Sequence, residues 1–195
     1  MEKLVLSKGK EYYYLCFLFR FIFNDFRLDK VPTIGLDYSF QAVQLSDGSI
    51  VRLRIMDTAG QERYNSLSEN YYKQADCCLL VYDITSRDSF NRIENYFVPK
   101  IKENCNQILK VVLLGNKADL KDKRQVKDIE GANLAKKNRY IFMESSCADN
   151  YNVLDAFTTL VEMTNNELHK GNKKDNITLN KKDQNGNQTD EKCGC

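Results

Sequence analysis

Short apolar runs alternate with helical patterns along most of this chain, and that alternation leaves few folds open. The apolar runs predict strands over 3–7, 40–45, 51–56, 77–82, 111–115 and 140–144. Between and after them, helical patterns run over 15–24, 88–104, 126–137 and 152–168. Strands separated by helices imply an α/β fold, a six-stranded mostly parallel sheet flanked by helices. One pair should be antiparallel, because Asp47-Gly48 accepts positive φ and closes a hairpin between the second and third strands. In the last helix Val153, Leu154, Phe157, Leu160 and Val161 recur at helical spacing, so one face packs inward. Ser89 or Asp88 is expected to cap the second helix, and Asp149 or Asn150 the last. No internal repeat is visible.

A chain of 195 residues fits one domain and a tail, here 1–168 and 169–195. After about residue 165 Asn, Lys, Asp and Gln dominate and aromatics vanish. Such a segment buries too little apolar area to offset its ordering entropy, which predicts a disordered tether. A hydrophobic content of 42% supports one ordinary core, and a net charge of +2 is too small to argue for nucleic acid. Seven Cys, with no CxxC pair and no His-rich cluster, point away from zinc and towards a reducing compartment. His169 reads as a solvated helix-end residue. Cys77, Cys78 and Cys105 read as core.

Residues 12–23 (YYYLCFLFRFIF) form the one long apolar run. Twelve residues are too few to span a bilayer, and Arg20 interrupts them. Lys3, Lys8 and Lys10 ahead of the run imitate a signal peptide, but no small-residue cleavage site follows. The run reads as a buried helix.

Two segments carry chemistry. Asp57-Thr58-Ala59-Gly60-Gln61 stands at the end of an apolar strand and precedes a polar run. An acid at a strand tip beside a backbone-only Gly suits magnesium and a terminal phosphate, and a following Gln can orient a water. Asn116-Lys117-Ala118-Asp119 follows another apolar strand. Asp119 offers two acceptor oxygens to the N1–H and amino group of guanine, a pairing adenine cannot return.

With Thr33-Ile34-Gly35, these motifs resemble the Ras superfamily of small GTPases, itself the standard worked case of phosphoryl transfer, so the mechanism comes with the resemblance. More narrowly, Ile34-Gly35-Leu36-Asp37-Tyr38, Arg63-Tyr64-Asn65-Ser66-Leu67, Tyr71-Tyr72-Lys73-Gln74-Ala75 and Leu80-Val81-Tyr82-Asp83-Ile84-Thr85 resemble Rab signatures. The resemblance implies a GTP- and GDP-binding switch of vesicle traffic. Thr33 and Asp57 would serve magnesium, Gly60 the terminal phosphate, and Gln61 the attacking water. Asn116, Lys117 and Asp119 would hold the base. Ser145-Ser146-Cys147-Ala148 resembles the family's second guanine loop, where Cys147 takes the place of a residue whose backbone N–H reaches guanine O6. Ala148 replaces a Lys whose stem covers the base. Ile34, Tyr38, Met56 and Tyr71 fall at partner-facing places, with Met56 where Trp is usual.

The implied partners are effectors, an exchange factor, a GTPase-activating protein and an escort or dissociation inhibitor. Cys193 and Cys195 resemble a doubly prenylated terminus, and two lipid chains anchor stably where one is marginal. That places the protein in the cytoplasm, peripheral on an endomembrane. Lys170, Lys173, Lys174, Lys181 and Lys182 would assist at an anionic leaflet, offset by five acids between Glu167 and Glu191.

One part of the pattern is replaced. The phosphate loop G-x-x-x-x-G-K-[ST] belongs between the first strand and the first helix. The eight positions there read Lys8-Gly9-Lys10-Glu11-Tyr12-Tyr13-Tyr14-Leu15, and none of the required residues stands in its place. Tyr13 replaces a Gly, Tyr14 the Lys, and Leu15 the hydroxyl that holds magnesium. Losing two charge-assisted hydrogen bonds costs roughly 3–6 kcal/mol, a hundred- to ten-thousandfold in affinity. Two accounts follow. The chain is a non-enzymatic pseudo-GTPase that binds partners with weak nucleotide affinity, or the residues before about Leu15 come from an atypical isoform or gene model.

Overall fold

The computed structural model of the chain describes residues 2–8, 11–26, 39–57, 73–104 and 109–165, with side chains from 17–26, 39–56, 73–104 and 109–165. In chain order the elements are β1 (Glu2–Lys8), α1 (Glu11–Phe23), β2 (Ser39–Gln44), β3 (Ile50–Asp57) and β4 (Cys77–Asp83). Then come α2 (87–104), β5 (Lys110–Asn116), a 3₁₀ turn Lys121–Lys123, α3 (Asp128–Asn138), β6 (Ile141–Ser145) and α4 (153–165). The strands form one sheet in the order β2-β3-β1-β4-β5-β6. Every neighbouring pair is parallel except β2 with β3. The elements up to Thr164 belong to one compact unit.

β4 shows why this is a three-layer fold, since all seven of its residues are buried. Alternate side chains of a strand point to opposite faces. Cys77, Leu79 and Val81 join a cluster with Phe17 of α1 and Phe157, Leu160 and Val161 of α4. Cys78, Leu80 and Tyr82 join the other, with Phe90, Ile93 and Phe97 of α2 and Leu134 of α3. A strand buried on both faces reads as a continuous apolar run, as Cys77 to Tyr82 does.

The β2–β3 hairpin follows the expectation at Asp47-Gly48. Gly48 has φ +83°, and the Asp47 carboxylate accepts from the Ser49 N–H at 2.9 Å. Helix α2 runs Arg87–Arg92, widens through a π-helical turn Ile93–Phe97 and continues Val98–Asn104. Pro99 has no N–H and its ring crowds the carbonyl four residues back, so the turn before it opens. Its cap is Ser86, whose hydroxyl accepts the Ser89 N–H. This corrects the expected Ser89 or Asp88. Ser89 is instead buried, bonding Asp83 through its hydroxyl. Asp149 and Asn150 do not cap α4 either. They lie in the turn ahead of it, and Asn152, which immediately precedes the helix, sends its side-chain amide to Glu144 O.

The largest departure is α1. It begins at Glu11, four residues before the expected start at 15, so only residues 9 and 10 separate it from β1. The segment Glu11-Tyr12-Tyr13-Tyr14-Leu15 has no Gly or Pro to interrupt a helix, and an acid in the first turn complements the helix dipole. The helix is not buried throughout. Phe17 is fully buried and stacks on Phe157, whereas Phe23 is 63% exposed.

Candidate functional site

In an open parallel sheet, ligands bind outside the carboxyl ends of the strands. Here that edge brings Asp83, Asn116 and Ser145 into one row, each the last residue of its strand and each in register with the next. All three are buried. Asp57 ends β3 on the other side of β1, its backbone opposite Leu6.

The polar groups of the row are tied together. Asn116 Oδ1 accepts from the Ser145 hydroxyl at 3.3 Å and from Cys147 Sγ at 3.4 Å. Asp83 Oδ1 accepts from the backbone N–H and the hydroxyl of Thr85. Its Oδ2 faces the Lys117 ammonium at 3.0 Å, a charge contact.

After Asn116 the chain turns sharply. Lys117 has φ +67°, which lets the Ala118 N–H donate to Ser145 O at 2.9 Å. Asp119 is exposed, and its Oδ1 accepts the Ser146 hydroxyl at 2.6 Å. Ser146 in turn accepts the Asp149 N–H at 3.1 Å, and its backbone exchanges two hydrogen bonds with Tyr151. Two loops from different strands therefore form one rigid acceptor-bearing rim. An ionised carboxylate has about four acceptor sites. Ser146 takes one, so Asp119 keeps capacity for a ligand.

The structure thus brings together Asn116, Lys117, Asp119, Ser145, Ser146 and Cys147, with Ala148 exposed beside them. Thr33, Ile34, Tyr38, Gly60, Gln61, Tyr71, Cys193 and Cys195 lie outside the described residues, as do Cys105 and His169. Met56 is 2% exposed and packs among Cys78, Leu80 and Tyr82. This corrects its expected place on a partner-facing surface. Met56 lies in the second core cluster, although Arg52 on the same face of β3 is exposed.

Sequence reasoning missed two contributors. Asp83 stood inside a matched signature without a role. Arg20, read as an interruption of an apolar run, reaches the carbonyls of Cys147 and Ala148. A lone charge in an apolar helix is the signal that could have found it.

The sequence pattern of the Ras family matches residues 9–166. Ras-related protein Rab-11B of Dictyostelium discoideum is 39% identical over 170 residues, covering 80% of this chain and 76% of its own. GTP-binding protein YPT1 of Saccharomyces cerevisiae is 37% identical over 172 residues, covering 88% and 82%. The chain belongs to the Rab family of the Ras superfamily. Ras-related protein Rab-8A of Bos taurus is 42% identical over 145 residues, with 74% and 69% covered.

A Rab-family chain implies guanine nucleotide and magnesium, and the two halves of the site fit them differently. The base half fits, because Asp119 presents a pinned carboxylate at the rim. The phosphate half does not. Five of the eight phosphate-loop positions, Glu11 to Leu15, are helix. The N–H groups of Glu11 to Tyr14 are the free ones of a helix N-terminus, so what fails is the set of residue types: Tyr13 is not Gly and Tyr14 carries no ammonium. Leu15 has no hydroxyl for magnesium.

Proposed function

We propose that this chain is a Rab-type guanine-nucleotide-binding protein of membrane traffic that holds its ligand chiefly by the base. The observation that carries this reading is the Asp119 carboxylate, pinned by Ser146 at the carboxyl edge of the sheet. Guanine presents two donors, N1–H and the 2-amino group, to such a carboxylate. Adenine turns an acceptor nitrogen towards it, which repels. Asn116 supports the rim by tying Ser145 and Cys147 to the strand that carries it. Lys117 is drawn onto Asp83, so its role in binding is to fix the turn that presents Asp119.

The remaining assignments follow the family pattern as proposals. Thr33, Asp57 and Gly60 take the magnesium and γ-phosphate places, and Gln61 the water-orienting place. Ile34, Tyr38 and Tyr71 offer contacts to effectors and regulators. Cys193 and Cys195 accept prenyl groups that hold the protein on the cytoplasmic face of an endomembrane.

A second reading rests on the residue types at 8–15. Without the Gly, Lys and hydroxyl of the phosphate loop, the chain would be a pseudo-GTPase that binds partners without cycling. Calorimetric titration of the purified full chain with guanosine, GMP, GDP and GTP, with and without magnesium, and with adenosine, tests both. Guanosine should bind about ten- to a hundredfold tighter than adenosine, the value of one charge-assisted hydrogen bond. Affinity should rise little from guanosine to GTP. Equal binding of the two nucleosides overturns the base-reading proposal. GTP hydrolysis at a rate typical of the family overturns the pseudo-GTPase reading.

A further inference from the structure

We propose that Arg20 is a positioning residue for guanine recognition, holding the 147–149 turn from behind so that the Ala148 N–H joins that of Cys147, the donor the family pattern gives to guanine O6, in facing the base. The inference rests on the base-reading proposal above and deepens it. Arg20 lies on α1, three residues before its end. Its Nε donates to Cys147 O at 2.8 Å, its Nη2 to Ala148 O at 3.3 Å, and its Nη1 to Asn24 O at 3.1 Å. The guanidinium also lies 5.6 Å from the centre of the Phe26 ring. Asn150 adds a second tie between the same elements, its side-chain amide donating to Asn24 Oδ1 at 3.3 Å.

The consequence follows from peptide geometry. The described peptide bonds contain no cis form. In a trans peptide the C=O and the next residue's N–H point in opposite directions. Arg20 draws two consecutive carbonyls to its own side, which turns the N–H groups of Ala148 and Asp149 to the other. The Asp149 N–H is found there, 3.1 Å from Ser146 Oγ, which donates to Asp119 Oδ1. The Ala148 N–H therefore shares a side with the Asp119 carboxylate. A donor beside a carboxylate complements guanine, whose O6 accepts while N1–H and the amino group donate. Arg is suited to the task, because its planar fork serves neighbouring carbonyls that an ammonium cannot reach together. In a chain without a phosphate cradle, this support from α1 holds the base loop in shape before any ligand arrives.

The test pairs a residue change with a single-atom change in the ligand. 6-Thioguanosine replaces O6 by a poor acceptor and leaves the edge facing Asp119 intact. The unaltered full chain should bind guanosine roughly fivefold tighter than 6-thioguanosine, the value of one neutral hydrogen bond. In Arg20→Ala that ratio should fall towards one, while the preference for guanosine over adenosine, set by Asp119, persists. Arg20→Lys, holding a single carbonyl, should give an intermediate ratio. A purely structural role for Arg20 would weaken both ligands equally and leave the ratio unchanged. A fivefold ratio in a folded Arg20→Ala chain overturns the proposal, and so does one in Arg20→Lys if the alanine variant does not fold. Loss of the guanosine preference in the unaltered chain overturns the base-reading proposal, and this inference with it.

Discussion

The ammonium of Lys117 stands 3.0 Å from Oδ2 of Asp83, a carboxylate with no solvent exposure. The two residues leave neighbouring strands at the carboxyl edge of the sheet, so the pair couples the turn carrying Asp119 to the core. Removing one partner of a buried pair strands the other charge. Lys117 keeps 30% exposure and can reach water, whereas Asp83 cannot. The costs should therefore be unequal. Lys117→Ala should destabilise by about 3 kcal/mol and Asp83→Asn by about 1–2 kcal/mol. Urea unfolding of the two variants checks the order, and a larger loss for Asp83→Asn would refute it.

Asp119 should set base identity by the sign of its hydrogen bonds. Asp119→Asn supplies a donor where the carboxylate offered only acceptors. Xanthine carries an oxygen where guanine carries the 2-amino group. The variant should lose guanosine binding by about tenfold or more and gain preference for xanthosine. Competition between the two nucleosides in calorimetry measures it.

Gly131 of α3 sits against Tyr82 and Phe142. A Cβ there would collide with the Phe142 ring and lie 2.6 Å from the Tyr82 hydroxyl. In an open helix Gly→Ala stabilises, by close to 1 kcal/mol. Here overpacking wins, and Gly131→Ala should destabilise by about 1–3 kcal/mol. The Tyr82 hydroxyl is buried with no hydrogen-bond partner among the described residues. Tyr82→Phe should therefore cost little by itself and recover part of the Gly131→Ala loss. Thermal melts of the three variants would show non-additivity, and strict additivity would contradict the shared contact.

Acid should act on the Arg87–Glu130 pair joining α2 to α3, whose closest contact is 2.6 Å. The Arg87 guanidinium, aided by the Lys127 N–H, holds the Glu130 carboxyl down at about 2 against an ordinary 4.5. The folded value lies below the unfolded one. The stabilisation is therefore complete above about 4.5 and disappears as pH falls through about 2. Comparing urea midpoints of the unaltered chain and Glu130→Gln across this window should show their difference shrinking with acid. A difference that grows as pH falls would contradict the pairing.

Strand positions were legible to within a residue or two, because buried parallel strands write themselves as continuous apolar runs. Cys77 to Tyr82 and Val111 to Gly115 are the plainest cases, and the Asp47-Gly48 hairpin followed from backbone preference alone. Helix starts were less legible. Ser86 caps α2 although Asp88 and Ser89 are equally good capping types, since the choice depends on which hydroxyl meets an open N–H. The Gln125 and Val126 N–H groups both donate to Ile84 O, which keeps α3 from starting before Asp128.

The order of residues along the chain was enough to specify an α/β sheet with Asn116 and Asp119 at its carboxyl edge, where the base site is proposed, and to reveal that the phosphate-loop positions lack the pattern's Gly, Lys and hydroxyl. Those are properties of residue type and spacing, which local backbone physics turns directly into structure. The burial of Met56, the Asp83–Lys117 contact and the reach of Arg20 to carbonyls 127 and 128 positions away were decided only by tertiary packing. Contacts between residues so far apart depend on how strands order and helices dock, and no local pattern in the chain encodes them.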